Sequence, residues 1–188
     1  MENALFIRTI DFEASCLPRH GRSFPIEVGI AGAGWTQSWL IRPHENWAGW
    51  DWTREAEALH GLSLERVMRE GMPAATVFHQ LVAMLDGCRI VADSMIDQYW
   101  LETLAEAAGA ESPFLIDHVS MLLDENGADE PAISAAVAYA DGLHPDRHRA
   151  GSDASWLAAL LDHVAGRVPP LHAMTMHPPL RIGASNNL

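Results

Sequence analysis

The sequence predicts an α/β fold, a mixed β-sheet flanked by helices, and the order of its patterns is the reason. Extended segments come first, between residues 4 and 42, and stretches with helical periodicity then alternate with short apolar runs. With 188 residues, 48% of them hydrophobic, the chain can bury one sizeable core but not two.

Residues 4 to 13 (ALFIRTIDFE) read as a strand that ends in acids. After a loop rich in Pro, Gly and Arg, residues 26 to 33 and 37 to 42 read as a hairpin with its turn at Gly34. The next stretch mixes aromatics with turn residues and then becomes helical, with Thr53 and Ser63 able to cap two short helices. Pro73 suits the first turn of another helix, whose apolar positions Val77, Leu81, Met84 and Leu85 recur at helical spacing up to Gly87. Arg89 to Ala92 is a short buried strand. From Asp97 the positions Leu101, Leu104 and Ala108 form an inward stripe that Gly109 stops. Phe114 to Ile116 reads as a further short strand, and Pro131 to Tyr139 as an Ala-rich helix. A last helix carries Leu157, Leu160, Leu161 and Val164 on one face, with Ser152 as its expected cap. The segment after it holds four prolines, so residues 1–168 are expected to form the domain and 169–188 an extended arm or tail.

Composition narrows the function. Twelve basic against 25 acidic residues give a net charge of −13, which excludes broad electrostatic attraction to long polyanions. Contact with nucleic acid must then be local or assisted by metal ions. The two cysteines, Cys16 and Cys88, form no CxxC pair, and no run is apolar and long enough to cross a bilayer. The expectation is a cytoplasmic protein that makes no use of a membrane.

Asp11 and Glu13 stand two apart on the first strand, so both project from the same face at its carboxyl end. They offer hard oxygen ligands for Mg²⁺ or Mn²⁺, although a lone D-x-E more often marks a strand running into solvent. Asp97 heads the inward stripe of its helix, where an unpaired acid is costly to bury. It fits either a metal ligand or a first-turn acid that complements the helix dipole. Asp153 repeats the pattern four residues before Leu157, and His148 precedes it in the loop. That histidine suits a general base, or simply a solvated loop position. Pairing His144 with His148 for zinc lacks the remaining ligands. Together, four carboxylates from a strand end and two helix starts match the need of two-metal phosphodiester cleavage, in which cations about 4 Å apart hold the attacking water and the leaving oxygen.

These motifs resemble those of the DEDDh 3'→5' exonuclease family, which includes RNase T, oligoribonuclease and the proofreading subunit of bacterial DNA polymerase III. Ile10-Asp11-Phe12-Glu13 is similar to its first motif, and Pro25-Ile26-Glu27-Val28-Gly29 to its second strand. Leu59-His60-Gly61-Leu62 resembles the segment after its third strand, and Met95 to Leu101 the second motif. His148-Arg149-Ala150-Gly151-Ser152-Asp153 matches the third, H-x-A-x-x-D. The likeness spans roughly residues 4 to 165 in the family's order. It implies an RNase H-like fold, two Mg²⁺ or Mn²⁺ ions on Asp11, Glu13, Asp97 and Asp153, and water activated by His148. It also implies release of 5'-nucleoside monophosphates from an RNA or DNA 3' end, with Phe12, His60 and Leu62 against the terminal nucleotide, and a homodimer. The related family in which a tyrosine replaces the histidine does not fit, since neither Tyr99 nor Tyr139 lies four residues before Asp153.

One departure is Ala92-Asp93-Ser94 where many relatives have His-Asn-Ala, which adds an acid near the site. The low basic content favours short or single-stranded ends as substrates. Trp47, Trp50 and Trp52 either stack terminal bases or pack their connection onto the core. Arg19, His20 and Arg22 either meet phosphate or are solvated. Rival readings are a non-catalytic RNase H-like binding module and a phosphodiesterase for small nucleotides.

Overall fold

In the computed structural model, residues 6–32 and 34–167 are described. Their six strands, β1 (Phe6–Ala14), β2 (Pro25–Gly32), β3 (Trp35–Arg42), β4 (Met72–Pro73), β5 (Cys88–Ala92) and β6 (Ile116–His118), form one sheet in the order β4-β3-β2-β1-β5-β6. β1 pairs antiparallel with β2 and parallel with β5, so the sheet is mixed and β1 lies inside it. The helices are α1 (Arg54–His60), α2 (Leu64–Glu70), α3 (Ala74–Leu85), α4 (Ile96–Ala107), α5 (Val119–Glu125), α6 (Glu130–Leu143) and α7 (Ala150–Val164).

The period of two along β1 divides the interior. Ile10, Phe12 and Ala14 enter the larger core with β2, β3, α3 and α4, where Ile26, Val28, Leu81, Leu101 and Leu104 are fully buried. The opposite face carries Thr9, Asp11 and Glu13. A second core lies beyond it, built from Val91, Ala136, Ala140, Leu157, Leu160 and Leu161 where α6 and α7 pack on the sheet.

Two features hold α7 close to that face. At Gly29 a Cβ would come within 2.2 Å of the Ala150 carbonyl carbon, so only glycine lets β2 meet the first turn of α7. The Thr9 hydroxyl donates to the Ala154 carbonyl at 2.6 Å.

Several expectations change in detail. Residues 4 and 5 of the expected first strand, Ala33 of the hairpin and the expected arm at 169–188 lie outside the described residues. The strand expected at Phe114 to Ile116 begins only at Ile116, because Leu115 is 78% exposed and pairing with β5 starts at Ile90↔Ile116. Polar Asp117 and His118 complete it, and Asp117 is held across the strands by Arg89 at 2.7 Å. Pro73 does not enter a helix but ends β4 at the cap position before Ala74. α5 and β4 carry too little periodicity to be anticipated, and α6 outruns its expected bounds at both ends, capped by Asp129 on the Ala132 N–H at 2.9 Å. Thr53 and Ser63 do cap α1 and α2. Ser152 does not cap α7, which already begins at Ala150 after Arg149.

Candidate metal centre

The carboxyl end of β1 collects the acids. Asp11 shares one group of carboxylates with Glu13 and Asp153 and another with Asp93 and Asp97, and within each group the oxygens lie within 4.8 Å of one another. Four of the five are the acids singled out in the sequence. The fifth, Asp93, is the extra acid noted near the site as a departure from the family, and its place follows from the sheet. Parallel pairing of β1 with β5 ends at Thr9↔Val91, and two further residues, along β1 and just past the end of β5, bring Asp11 and Asp93 to the same level.

Each acid is held by its element. Asp97, at the start of α4, is 1% exposed and accepts the Phe12 N–H through Oδ1 at 3.2 Å. Asp153 lies in the first turn of α7, where Oδ2 accepts the N–H groups of His148 at 2.8 Å and Arg149 at 3.1 Å. Those bonds tie Asp153 to the loop that leads into α7, whose cap residue Arg149 makes no side-chain cap of its own. Its Oδ1 accepts from the Arg147 Nε. Glu13 faces Glu27 across the β1–β2 ladder. Glu27 is 2% exposed and takes two hydrogen bonds from the Arg149 guanidinium, at 2.8 and 2.7 Å, and one from the Ala150 N–H at 3.2 Å. This pair fixes the third motif against the second strand, a role for Glu27 and Arg149 that spacing alone does not reveal.

The crowding has an electrostatic consequence. Burial first, and then Asp97, Glu13, Asp153 and Asp93, hold the Asp11 carboxyl well above the usual carboxylate range. Glu13 is pushed up to about 8 by burial, then by Asp153 and Glu27, with Arg149 opposing. Asp97 is likewise pushed up to about 8 by burial and Asp93, against the Phe12 N–H bond. Such a cluster must hold protons or cations. The Asp97 Oδ2 atom is buried without a hydrogen-bond partner among the described residues, so an oxygen is left for a cation to take. The donor set, all carboxylate oxygen, fits a hard divalent ion such as Mg²⁺ or Mn²⁺.

His148 is exposed on the loop that leads into α7, and neither carboxylate group includes its ring. Its φ of +67° makes it the one non-glycine residue in the left-handed region among those described. The hydrogen bond from its N–H to Asp153 holds that conformation in place. The pairing of His144 with His148 for zinc finds no support, since neither belongs to a metal-capable group among the described residues.

Beside Glu13 lies a hollow of about 170 Å³ lined by Phe12, Ala14, Leu17, His20, His60 and Trp100. His60 is 4% exposed and its Nδ1 accepts the Leu62 N–H at 3.0 Å. Its Nε2 is buried with no partner among the described residues, and burial lowers its pKa. Leu62, expected against a nucleotide, is 0% exposed and lies in the larger core, so it supports His60 from behind rather than lining the hollow.

The tryptophans pack their connection. Trp47 is buried and stacks on Phe24 at 5.4 Å, while Trp50 and Trp52 rest against the core. Arg22 serves the same loop, with its guanidinium over Trp50 at 5.5 Å and its N–H on Asp51 at 2.8 Å.

Among the described residues no helix is long and apolar enough to cross a membrane. No protein-family profile matches the chain, and no curated protein matches it. Solved structures do match. Exonuclease I of E. coli in complex with a dT13 oligonucleotide superposes with a TM-score of 0.65 at 10% identity, over 87% of this chain and 41% of that one. Exonuclease I from Methylocaldum szegediense gives 0.56 at 14% identity, over 85% and 40%. This chain therefore spans about two fifths of those exonuclease I chains. A full-length 3'-exonuclease gives 0.63 at 14% identity, over 87% of this chain and 83% of that one. At these identities it is the architecture that is shared, and the chain has the RNase H-like α/β fold of 3'-exonucleases with a five-carboxylate cluster at the end of its central strand.

Proposed function

We propose that the chain is a metal-dependent 3'→5' exonuclease of the DEDDh type, acting on short or single-stranded ends of RNA or DNA and releasing 5'-nucleoside monophosphates. The observation that carries this reading is the convergence of Asp11, Glu13, Asp97 and Asp153, with the unpartnered Asp97 Oδ2, at one end of β1. The fold shared with 3'-exonucleases supports it, as does the solution of one such relative with bound oligonucleotide.

Asp11, Glu13, Asp97 and Asp153 would hold two Mg²⁺ or Mn²⁺ ions, which supply a lowered water pKa and neutralisation of charge on the phosphoryl oxygens. His148, exposed on the loop whose backbone N–H binds Asp153, takes the proton of the attacking water and passes it to solvent. The hollow beside Glu13 receives the terminal nucleoside, with Phe12 as an apolar wall and His60 in its lining. The scarcity of basic residues suits a grip confined to the last few nucleotides.

Matched 5'-labelled RNA and DNA oligomers with Mg²⁺ or Mn²⁺ test the proposal. Stepwise shortening from the 3' end that chelator abolishes is the expected result. Cleavage inside a circular single strand would overturn the polarity, and binding without cleavage would leave the non-catalytic module as the better description.

A further inference from the structure

We infer that Arg147 is a placeholder cation: it neutralises Asp153 in the metal-free protein and turns to the substrate's phosphate once metal takes that carboxylate. The inference rests on the metal reading above. Two arginines flank His148, and they are held differently. Arg149 is locked by two hydrogen bonds to buried Glu27. Among the described residues Arg147 has one carboxylate partner, Asp153, and that partner is an expected metal ligand. Both Asp153 oxygens are thereby occupied, Oδ1 by Arg147 and Oδ2 by the His148 and Arg149 N–H groups.

A metal ion approaching Asp153 has to displace the guanidinium or share the oxygen with it. The two backbone donors are fixed by the start of α7, whereas the arginine side chain can rotate away. It has a place to stay while it does so. Its Cζ lies 4.1 Å from the centre of the Trp156 ring, and Trp156 is pinned by a hydrogen bond from its Nε1 to Asp141 on α6 at 2.8 Å. An arginine stacked on an aromatic face keeps its N–H edge free, and that edge matches a phosphate. In a chain with net charge −13, a cation released at the cluster only when the carboxylates are neutralised supplies a phosphate contact at the right moment.

The test is a calorimetric Mn²⁺ titration of wild type, Arg147→Met and Trp156→Leu, with circular dichroism as a check on folding and Trp156→Phe as a variant that keeps an aromatic face. Arg147→Met is expected to bind Mn²⁺ roughly threefold to tenfold more tightly, as loss of a competing ion pair requires. Trp156→Leu alters no charge and removes the face on which the displaced guanidinium rests, so a weaker Mn²⁺ affinity there, absent in Trp156→Phe, separates displacement from a general change in potential, and unchanged affinity in Trp156→Leu removes the stacked resting place from the proposal. At saturating Mn²⁺, Arg147→Met should raise KM for a short oligonucleotide several-fold, by more than kcat falls. Wild type that binds Mn²⁺ with the same affinity as Arg147→Met overturns the placeholder role alone. Wild type that binds no Mn²⁺ at all overturns the metal reading with it. Tighter Mn²⁺ binding with unchanged KM removes the phosphate contact from the proposal.

Discussion

At the scale of single residues, the proposed mechanism gives the acids and the histidine different jobs, so they should fail differently. Asp11 belongs to both carboxylate groups, so Asp11→Asn removes an anionic ligand from each. Metal affinity and turnover should fall together, which titration and a rate assay on the same variant would check. His148→Ala leaves the carboxylates in place. Mn²⁺ binding should persist while the chemical step slows by roughly 10²- to 10⁴-fold, the usual worth of a general base, and the rise of kcat with pH that reports imidazole deprotonation should vanish. A variant with wild-type turnover and an unchanged pH profile would remove His148 from the mechanism. Asp93 is the acid to which the family resemblance assigns no role. Its carboxylate raises the pKa of Asp97, so Asp93→Asn should make the cluster easier to deprotonate while removing one candidate ligand. Mn²⁺ binding at acidic and alkaline pH would show which effect wins: weaker binding at both marks Asp93 as a ligand.

At the scale of elements, the site depends on how closely α7 approaches β2. Gly29 has no Cβ to collide with the Ala150 backbone, and that contact is backbone on one side, so it cannot yield as a flexible side chain would. Gly29→Ala should therefore cost about 1–3 kcal/mol in chemical denaturation, the range for overpacking a tight interface. It should also weaken Mn²⁺ binding, because a displaced α7 carries Asp153 with it. A stable variant with normal Mn²⁺ affinity would show that the Glu27–Arg149 pair positions Asp153 without the close approach. α4 delivers Asp97 by another route, through the Phe12 N–H bond and the buried stripe of Leu101 and Leu104. That stripe is legible in the sequence, and so is the inward direction of Asp97.

At the scale of the whole molecule, the cluster sets how stability depends on pH. Native Glu13 and Asp97 titrate near 8, whereas carboxyls in an unfolded chain titrate near 4. Between those values the native state binds more protons than the unfolded one, so this contribution is fully present below the unfolded pKa and is lost as pH rises through about 8. Thermal melts of chelator-treated protein should show Tm falling across that window from this source. Mn²⁺ should raise Tm more at pH 8 than at pH 6, because metal replaces the protons the acids would otherwise hold. An equal Mn²⁺ shift at both pH values would mean that the acids do not titrate as a linked set.

The α/β class, the β1 to β3 order, the shared face of Asp11 and Glu13, and the inward placement of Asp97 and Asp153 are all legible in the sequence. Each of these follows from local periodicity, two along a strand and 3.6 along a helix, which neighbouring residues impose without distant partners. That Asp93 joins Asp11 in one carboxylate group, that Arg149 is held by Glu27 while Arg147 reaches Asp153, and that Leu62 is core rather than lining emerge only once the chain is folded. Those facts depend on strand register and on which helix covers which face, and contacts between residues up to 122 positions apart leave no periodic trace along the chain.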